Sequence, residues 1–532
     1  MAAYLISPAG LQILLIPLPN LLHPATAAEV AAGVAVLVPA PVLVVPAPAR
    51  VVVADMDFWK QILPDRVSRR GKASHLIPFD PPASGLYHYD YRDGEERSRI
   101  HLRVDGDLIS GQGNGILLVN ANRVIHLNPT AALMAYLYLE RKVDREAVCI
   151  LQDVYQVSKS QASNDYAHFT GDFAQLIRPD GACPVCDLDV EIRAPFSTTP
   201  SAPYRMDLAL TYRCNNDCPH CYNARPRDFG EISTQQWFQI IDQVWAVGIP
   251  HVVFTGGEPT LRDDLPELIA YAESKGQITG LNTNARLLKD SKFLSRLVDS
   301  GLDHVQVTVE SHSAEIHDEM VAAKGAWKQT IAGLRNALDT PLYVMTNTTM
   351  LRQNSPFLEE TLDFLAQIGV PTIGLNALIH AGHGSTVGTG LAERELPPLL
   401  DLARDKTDLY GQRLIWYTPT QYCNFDPMQL ELGVKGCTAA LYNMCVEPDG
   451  SVLPCQSYYQ PVGNMLSDPW DQIWNHDLSL HLRERKYIPE KCSPCALLAE
   501  CGGGCPLALD VNNEQLISLA DINAPQTVSP LS

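Results

Sequence analysis

The chain is short of positive charge: 40 Lys plus Arg stand against 60 Asp plus Glu in 532 residues, a formal net charge of −20. Such a balance repels nucleic-acid phosphate and anionic lipid unless basic residues gather locally, and the segment from Arg66 to Lys72 is too brief to count. No nucleic-acid partner is therefore expected. Charge is also missing from the start, where Glu29 is the only formally charged side chain before Arg50. A membrane span is still not expected there, because Pro39, Pro41, Pro46 and Pro48 remove backbone donors from the uncharged run and would strand carbonyls in lipid. The Lys or Arg that a secretory signal carries ahead of its apolar core is absent too. Residues 1–60 read as an apolar, proline-rich arm that covers another surface. No internal repeat is evident.

What the sequence does have is length, apolar content and cysteine. At roughly 100–200 residues per domain it predicts three or four folded units. Hydrophobic residues make up 46% and charged residues 19%, a globular balance. Nearly all of the 14 cysteines fall between Cys183 and Cys505 in short spacings that point to metal binding rather than to a disulfide scaffold.

From about His101 to Ile177 strands give way to helices. Gly115–Val119, a polar turn Asn120-Ala-Asn122 and Arg123–Leu127 read as a hairpin. Asn128 is placed to cap a helix that begins at Pro129, with Leu133, Met134 and Leu137 as its apolar stripe. Further helices are expected near Asp144–Gln156 and Ser163–Leu176. The result is a small winged-helix arrangement, either a structural accessory or a binding unit whose exposed sheet edge accepts an extended peptide as an added strand.

Beyond Tyr204 strands and helices alternate. Strand-like runs at Arg205–Tyr212, His251–Thr255, Ile278–Thr283, His304–Val309, Leu342–Thr349 and Thr372–Ala377 are separated by helix-length segments, including Thr234–Val247, Asp263–Lys275, Asp290–Ser300, Trp327–Asp339 and Phe357–Ile368. Six such units in succession predict an α/β fold, a parallel sheet curled into a partial or complete TIM-like barrel. Chemistry in such barrels sits at the C-terminal ends of the strands. The motifs fall there.

The first is Cys214-x3-Cys218-x2-Cys221, directly after the first strand. Three thiolates can hold a four-iron cluster with one iron left open, or a zinc ion with a fourth ligand such as His220. At the end of the second strand stands Gly256-Gly257-Glu258-Pro259, where glycines permit close backbone approach and a carboxylate can receive an ammonium group.

Together these motifs resemble the radical S-adenosylmethionine (SAM) superfamily, over roughly Arg205–Gly384. The resemblance implies that Cys214, Cys218 and Cys221 ligate a 4Fe-4S cluster, that SAM occupies the open iron, and that Gly256, Gly257 and Glu258, followed by Pro259, hold its amino group. It further implies SAM contacts from Asn282 and Asn284 after the third strand, Thr308 and Glu310 after the fourth, and Asn347 on the fifth. A strand-end polar residue that satisfies loop backbone is the alternative for these. His380 and His383, after the sixth strand, are candidate proton donors or simply solvated.

Near the C-terminus, Cys437-x12-Gly450-x4-Cys455 precedes Cys492-x2-Cys495-x5-Cys501-x3-Cys505, spacings that do not fit a zinc ribbon. The field resembles the SPASM domain, which carries one or two auxiliary Fe-S clusters. That resemblance gives Cys437, Cys455 and Cys505 to one cluster, with Cys445 or Cys423 as fourth ligand, and Cys492, Cys495 and Cys501 to another. The family's further cysteine after this run is missing, so Asp510 or Cys423 is the candidate replacement, unless an iron stays open or the second cluster is absent. Cys183 and Cys186 are a redox pair, half of a metal site, or unrelated thiols. Cys149 is expected in a helical core.

With the barrel identified this way, residues 95–180 resemble the PqqD-type domain, which binds the leader of a ribosomally made precursor peptide. The expected organisation is an arm (1–60), the peptide-recognition domain (95–180), a linker (181–203), the radical SAM barrel (204–400), the SPASM domain (415–515) and a tail (516–532). The function implied is reductive cleavage of SAM to a 5′-deoxyadenosyl radical that installs a crosslink or thioether in a precursor peptide. The alternatives are maturation of a haem or other cofactor precursor, and a noncatalytic metal-binding, peptide-recognising protein. An electron donor such as flavodoxin or ferredoxin is expected as a partner. Oxygen-sensitive clusters and the lack of an export signal make the expected location cytoplasmic.

Overall fold

The computed structural model describes residues 79–512 apart from 94–95, 121–122, 179–195 and 197–199. The arm 1–60, Cys183, Cys186 and the tail 516–532 lie outside the described residues, as does the side chain of Asp510.

The N-terminal unit is an antiparallel meander of β1 (Gly85–Asp93), β2 (Glu96–Asp105), β3 (Asn114–Val119) and β4 (Arg123–Leu127), followed by α1 (Pro129–Leu139), α2 (Asp144–Tyr155) and α3 (Lys159–Leu176). The hairpin and first cap form as the sequence indicates: Val119 pairs with Arg123, and Asn128 Oδ1 accepts from Ala131 N at 2.8 Å. Leu133, Met134 and Leu137 are buried. Three features differ. The unit begins at Gly85 rather than near 95, because Tyr87, Tyr89 and Tyr91 alternate with His88, Asp90 and Arg92, which gives little aliphatic signal for a strand. The third helix starts at Lys159, with Ser158 Oγ accepting from Gln161 N at 3.2 Å. Cys149 is only half-buried rather than in the core.

One face of β2 carries Arg99, His101 and Arg103, all at most 5% exposed. Arg99 donates to Gln277 O at 2.8 Å and to Asp303 Oδ2 at 2.9 Å, and pairs with Glu273. His101 Nε2 lies 2.7 Å from Gly276 O, and Arg103 donates to Ala202 O at 3.0 Å and Gly248 O at 3.3 Å. These acceptors lie just ahead of barrel strands, so the N-terminal unit covers the rim opposite the strands' C-terminal ends. A buried guanidinium is tolerated because carbonyls and carboxylates take up its donors.

The barrel strands are β5 (Arg205–Thr211), β6 (His251–Gly256), β7 (Ile278–Thr283), β8 (His304–Thr308), β9 (Tyr343–Thr349) and β10 (Thr372–Asn376), each paired in parallel with the next. The outer helices are α4 (Thr234–Ala246), α5 (Leu265–Lys275), α6 (Ser291–Asp299), α7 (Ala314–Met320), α8 (Ala326–Leu338) and α9 (Leu358–Gln367). Met206, Leu208 and Leu210 of β5 pack outward with Trp237, Ile240, Ile241 and Val244 of α4. The twofold alternation of a strand therefore turns Asp207 and Ala209 inward.

Two strands extend this scheme. After α10 (Pro397–Tyr410), the short β11 (Arg413–Trp416) adds a seventh parallel strand, moving the barrel's end past the expected residue 400. In the C-terminal domain, β12 (Asn443–Val446), β13 (Ser451–Leu453) and β14 (Gly463–Asn464) join the same sheet, with β12 parallel to β5 and Cys445 opposite Asp207. The sheet runs β11-β10-β9-β8-β7-β6-β5-β12-β13-β14, a partial barrel whose open side the cysteine-rich domain extends.

Candidate functional site

The Cys214–Cys221 loop leaves the end of β5 and is held by two arginines that lie outside the sequence motifs. Arg227 donates to Cys214 O and to Asp217 Oδ1, both at 2.6 Å. Arg286 donates to Asn215 O and, at 2.8 Å, to Asn216 Oδ1. Inside the loop, Asn216 N points at Cys214 Sγ at 3.4 Å and Cys221 N donates to Cys218 O at 3.1 Å. From the side, Gly384 of the loop after β10 donates to Cys221 O at 3.2 Å, and Gly382, at φ +53°, abuts Asn223. His380 is half-buried and held below the usual imidazole range by burial, whereas His383 is exposed.

Burial pushes the Cys214 thiol up to about 11, against the pull of the Asn216 amide and Arg227. Cys218 is raised well above its ordinary value by burial and by Cys221, Glu310 and Cys214, and Cys221 is raised by burial. Thiolate ligation to iron would displace these protons. His220, the fourth ligand suggested for the zinc alternative, has its Nε2 3.1 Å from the buried carboxylate of Glu310 instead. Among the described residues no three His, Cys, Asp or Glu side chains converge on one metal ion. A cluster asks for something else, one thiolate per iron spread around its corners.

The Gly256-Gly257-Glu258 turn is built against this loop. Gly256 sits at φ +137°, and a Cβ there would lie 2.1 Å from Thr211 O; one on Gly257 would lie 2.5 Å from Arg213 O. Gly257 N and Glu258 N donate to Thr211 O and Arg213 O at 2.7 and 2.8 Å. The close approach these glycines permit is thus to the protein's own chain. Glu258 is fully buried and accepts from Thr260 N, Thr260 Oγ1, Thr283 Oγ1 and Asn284 N. Its carboxylate is committed to tying β6 to β7, and Pro259 starts the buried 3-10 turn that supplies Thr260.

Asn284 reaches the cysteine loop, donating to Asn215 Oδ1 at 2.6 Å with Cys214 Sγ at 4.0 Å. Glu310 receives Thr349 N at 3.0 Å besides facing His220. Asn282, Thr308 and Asn347 are half-buried and alternate with outward-packed Leu281, Val307 and Val344, so they line the interior. Asn347 Oδ1 is buried with no hydrogen-bond partner, an acceptor suited to a polar ligand.

The auxiliary cysteines cluster across the sheet junction. Cys437 is pushed up by burial and then by Cys505 and Cys455, and Cys455 is pushed up to about 12 by burial with Cys505 adding. Those three thiols pack against one core. Cys445, fully buried on β12, feels Asp207, Glu447 and Cys455. Glu447 bolts the two domains together: Arg225 of the cysteine loop grips it through two bonds of 2.8 Å, and Tyr212 OH adds one of 3.0 Å. Cys492, Cys495 and Cys501 follow one another through short turns, Cys495 N donating to Cys492 O at 2.9 Å and Cys501 N to Leu497 O at 2.9 Å.

A partial barrel with a trio of thiols at the mouth of its first strand and further thiols on an extension of the same sheet defines an Fe-S-dependent α/β enzyme. Residues 208–376 match the Radical SAM superfamily and residues 437–496 match SPASM, an iron-sulfur cluster-binding domain, so the chain is a radical SAM enzyme of the SPASM subfamily. Its cofactors are accordingly a 4Fe-4S cluster with SAM, and auxiliary Fe-S ligation. It is 29% identical over 324 residues to the Fe-coproporphyrin III synthase of Methanosarcina barkeri, covering 55% of this chain and 81% of that protein. The fold is that of SuiB from Streptococcus suis. In the structure with SAM the match covers 75% of this chain and 94% of SuiB at 18% identity and TM-score 0.57. In the complex with the precursor peptide SuiA it covers 80% and 97% at 17% identity and TM-score 0.57. Among the described residues, no helix is long and apolar enough to cross a membrane.

Proposed function

We propose that this enzyme modifies a ribosomally made precursor peptide, forming a crosslink or thioether, with the N-terminal unit as a PqqD-like leader-binding domain. Bound together, cluster and SAM supply a 5′-deoxyadenosyl radical able to remove hydrogen from an unactivated carbon. In this reading Cys214, Cys218 and Cys221 hold the cluster, with Arg227 and Arg286 fixing their loop. The backbone of Gly256 and Gly257 and the interior-facing Asn282, Thr308 and Asn347 orient SAM, while Glu258, Asn284 and Glu310 hold the strand ends in register. The barrel and its cysteine-rich extension exclude water. The observation that carries the peptide reading is a four-stranded sheet, with β1 and β4 at its edges, bolted to the barrel through buried Arg99, His101 and Arg103. An open edge offers backbone donors and acceptors for an added strand. The electron donor in this reading is a flavodoxin or ferredoxin.

A second reading, decarboxylation of a tetrapyrrole acid, is favoured by the relative's named activity. The test is the full chain, loaded with iron and sulfide without oxygen and given SAM and dithionite. Peptides encoded beside the gene should bind and lose hydrogen in step with 5′-deoxyadenosine release. Carbon dioxide from coproporphyrin, with no peptide modified, would replace the first reading by the second.

A further inference from the structure

The C-terminal cysteines leave an imbalance. A four-iron cluster closed by protein needs four thiolates. Cys505 packs against the same core as Cys437 and Cys455, so Cys492, Cys495 and Cys501 are left one ligand short, and residues 506–532 hold no cysteine. A candidate thiol lies upstream. The loop after β11 runs directly against Cys501: Tyr422 N points at Cys501 Sγ at 3.4 Å, and Cys501 Sγ lies 3.7 Å from Thr420 O. Gly504, at φ +80°, makes room for this approach, since a Cβ there would come within 3.0 Å of Gln421 Cγ and 3.2 Å of the Thr420 carbonyl carbon.

The same loop is braced from its far side. Glu393 accepts from Gln421 N at 3.1 Å and from Asn424 Nδ2 at 2.9 Å, and the Tyr422 ring is buried with its hydroxyl accepting from Lys435 N at 2.9 Å. Cys423 is therefore fixed between two anchored neighbours, with its own side chain exposed. The residues on the chain just before Cys423 thus lie against the Cys501 thiol. Cys495 is exposed as well, so the group lies at the surface.

We propose that Cys423 is the fourth protein ligand of the Fe-S cluster held by Cys492, Cys495 and Cys501. Four cysteines close that cluster, which leaves it to exchange electrons rather than to bind substrate through an open iron. The inference rests on the iron-sulfur character of the C-terminal domain and is independent of the substrate.

The full chain is loaded anaerobically, and iron, sulfide and the EPR spectrum of the oxidised protein are measured for the wild type, Cys423→Ala, Cys492→Ala and Cys149→Ala. Three four-iron clusters give about 12 irons per chain. Cys423→Ala is expected to lose about four of them, or to keep about three in that cluster with a [3Fe-4S] signal well above any that the three-cysteine core cluster gives in the wild type; Cys149→Ala should match the wild type. As a second readout that needs no variant, iodoacetamide should label Cys423 at least ~10-fold more slowly in the loaded chain than after iron is stripped, because a ligated thiolate is not a free nucleophile. Unchanged iron and EPR in Cys423→Ala, while Cys492→Ala loses a cluster, would overturn the proposal. So would equal labelling of Cys423 before and after stripping. Full iron in Cys492→Ala would overturn it too, by removing the cluster itself.

Discussion

The carboxylate of Glu258 shows what spacing can and cannot reveal. Its place one strand after the three-cysteine loop is plain in the sequence, but its partners Thr260, Thr283 and Asn284 are not, because two of them come from the next strand. Burial raises its carboxyl and the four donors draw it back down. Glu258→Gln keeps the volume but turns one oxygen into a donor facing donors. At least one buried group then loses its acceptor, a cost of about 1–3 kcal/mol. Urea unfolding of the loaded chain should show a lower midpoint at an unchanged slope; an unmoved midpoint would mean the carboxylate is free to serve a ligand instead. Arg227 and Arg286 were illegible for the same reason. An arginine beside a motif is common, and only the fold shows that these two reach the loop's carbonyls.

Apart from the short α7, which was not expected, strands and helices between Arg205 and Asn376 were readable to within a residue or two, because apolar runs alternate with helical periods over a long stretch. The misses have local causes. β11 is four residues long, too short for a periodic signal, and β12 belongs to the barrel sheet only by pairing with β5 across more than 200 residues of sequence. The glycines of the turn after β6 give the sharpest test of how elements close on one another. Gly256→Ala would place a Cβ 2.1 Å from Thr211 O at φ +137°, so both backbone strain and a backbone clash oppose it. Gly388→Ala is the matched control, at φ +71° with nothing within 4 Å, and should cost only about 1 kcal/mol. Gly256→Ala should instead lower the melting temperature several times as far and impair iron loading, read by circular dichroism and iron content. Equal losses for the two would deny that β6 and the cysteine loop are packed backbone to backbone.

Buried histidines where the N-terminal unit meets the barrel weaken it in acid, against Asp303, whose carboxyl burial raises to about 6. At that rim His251 Nε2 lies 2.9 Å from His304 Nε2, so one ring donates to the other and the two share a proton. Arg205 from β5 and His101 from β2 face the same group, and the His88 ring lies 4.9 Å from that of His101. Burial holds His304 down to about 4, with Arg205 adding to it, and holds His251 well below the usual imidazole range, with His304, Arg205 and His101 adding. His101 is likewise pushed down, to about 3, by burial first. A depressed folded value means that the unfolded chain takes protons first as pH falls. The stabilisation is therefore present above about 6.5 and is lost progressively toward about 4. For His304 alone that is about 2 kcal/mol by pH 5. His304→Gln should then start less stable at pH 7.5, for want of the paired ring, yet lose less between pH 7.5 and 5 than the wild type. Urea midpoints across that range read the difference directly. Parallel pH profiles for the two chains would show that the histidines beneath the barrel already carry their protons in the folded protein.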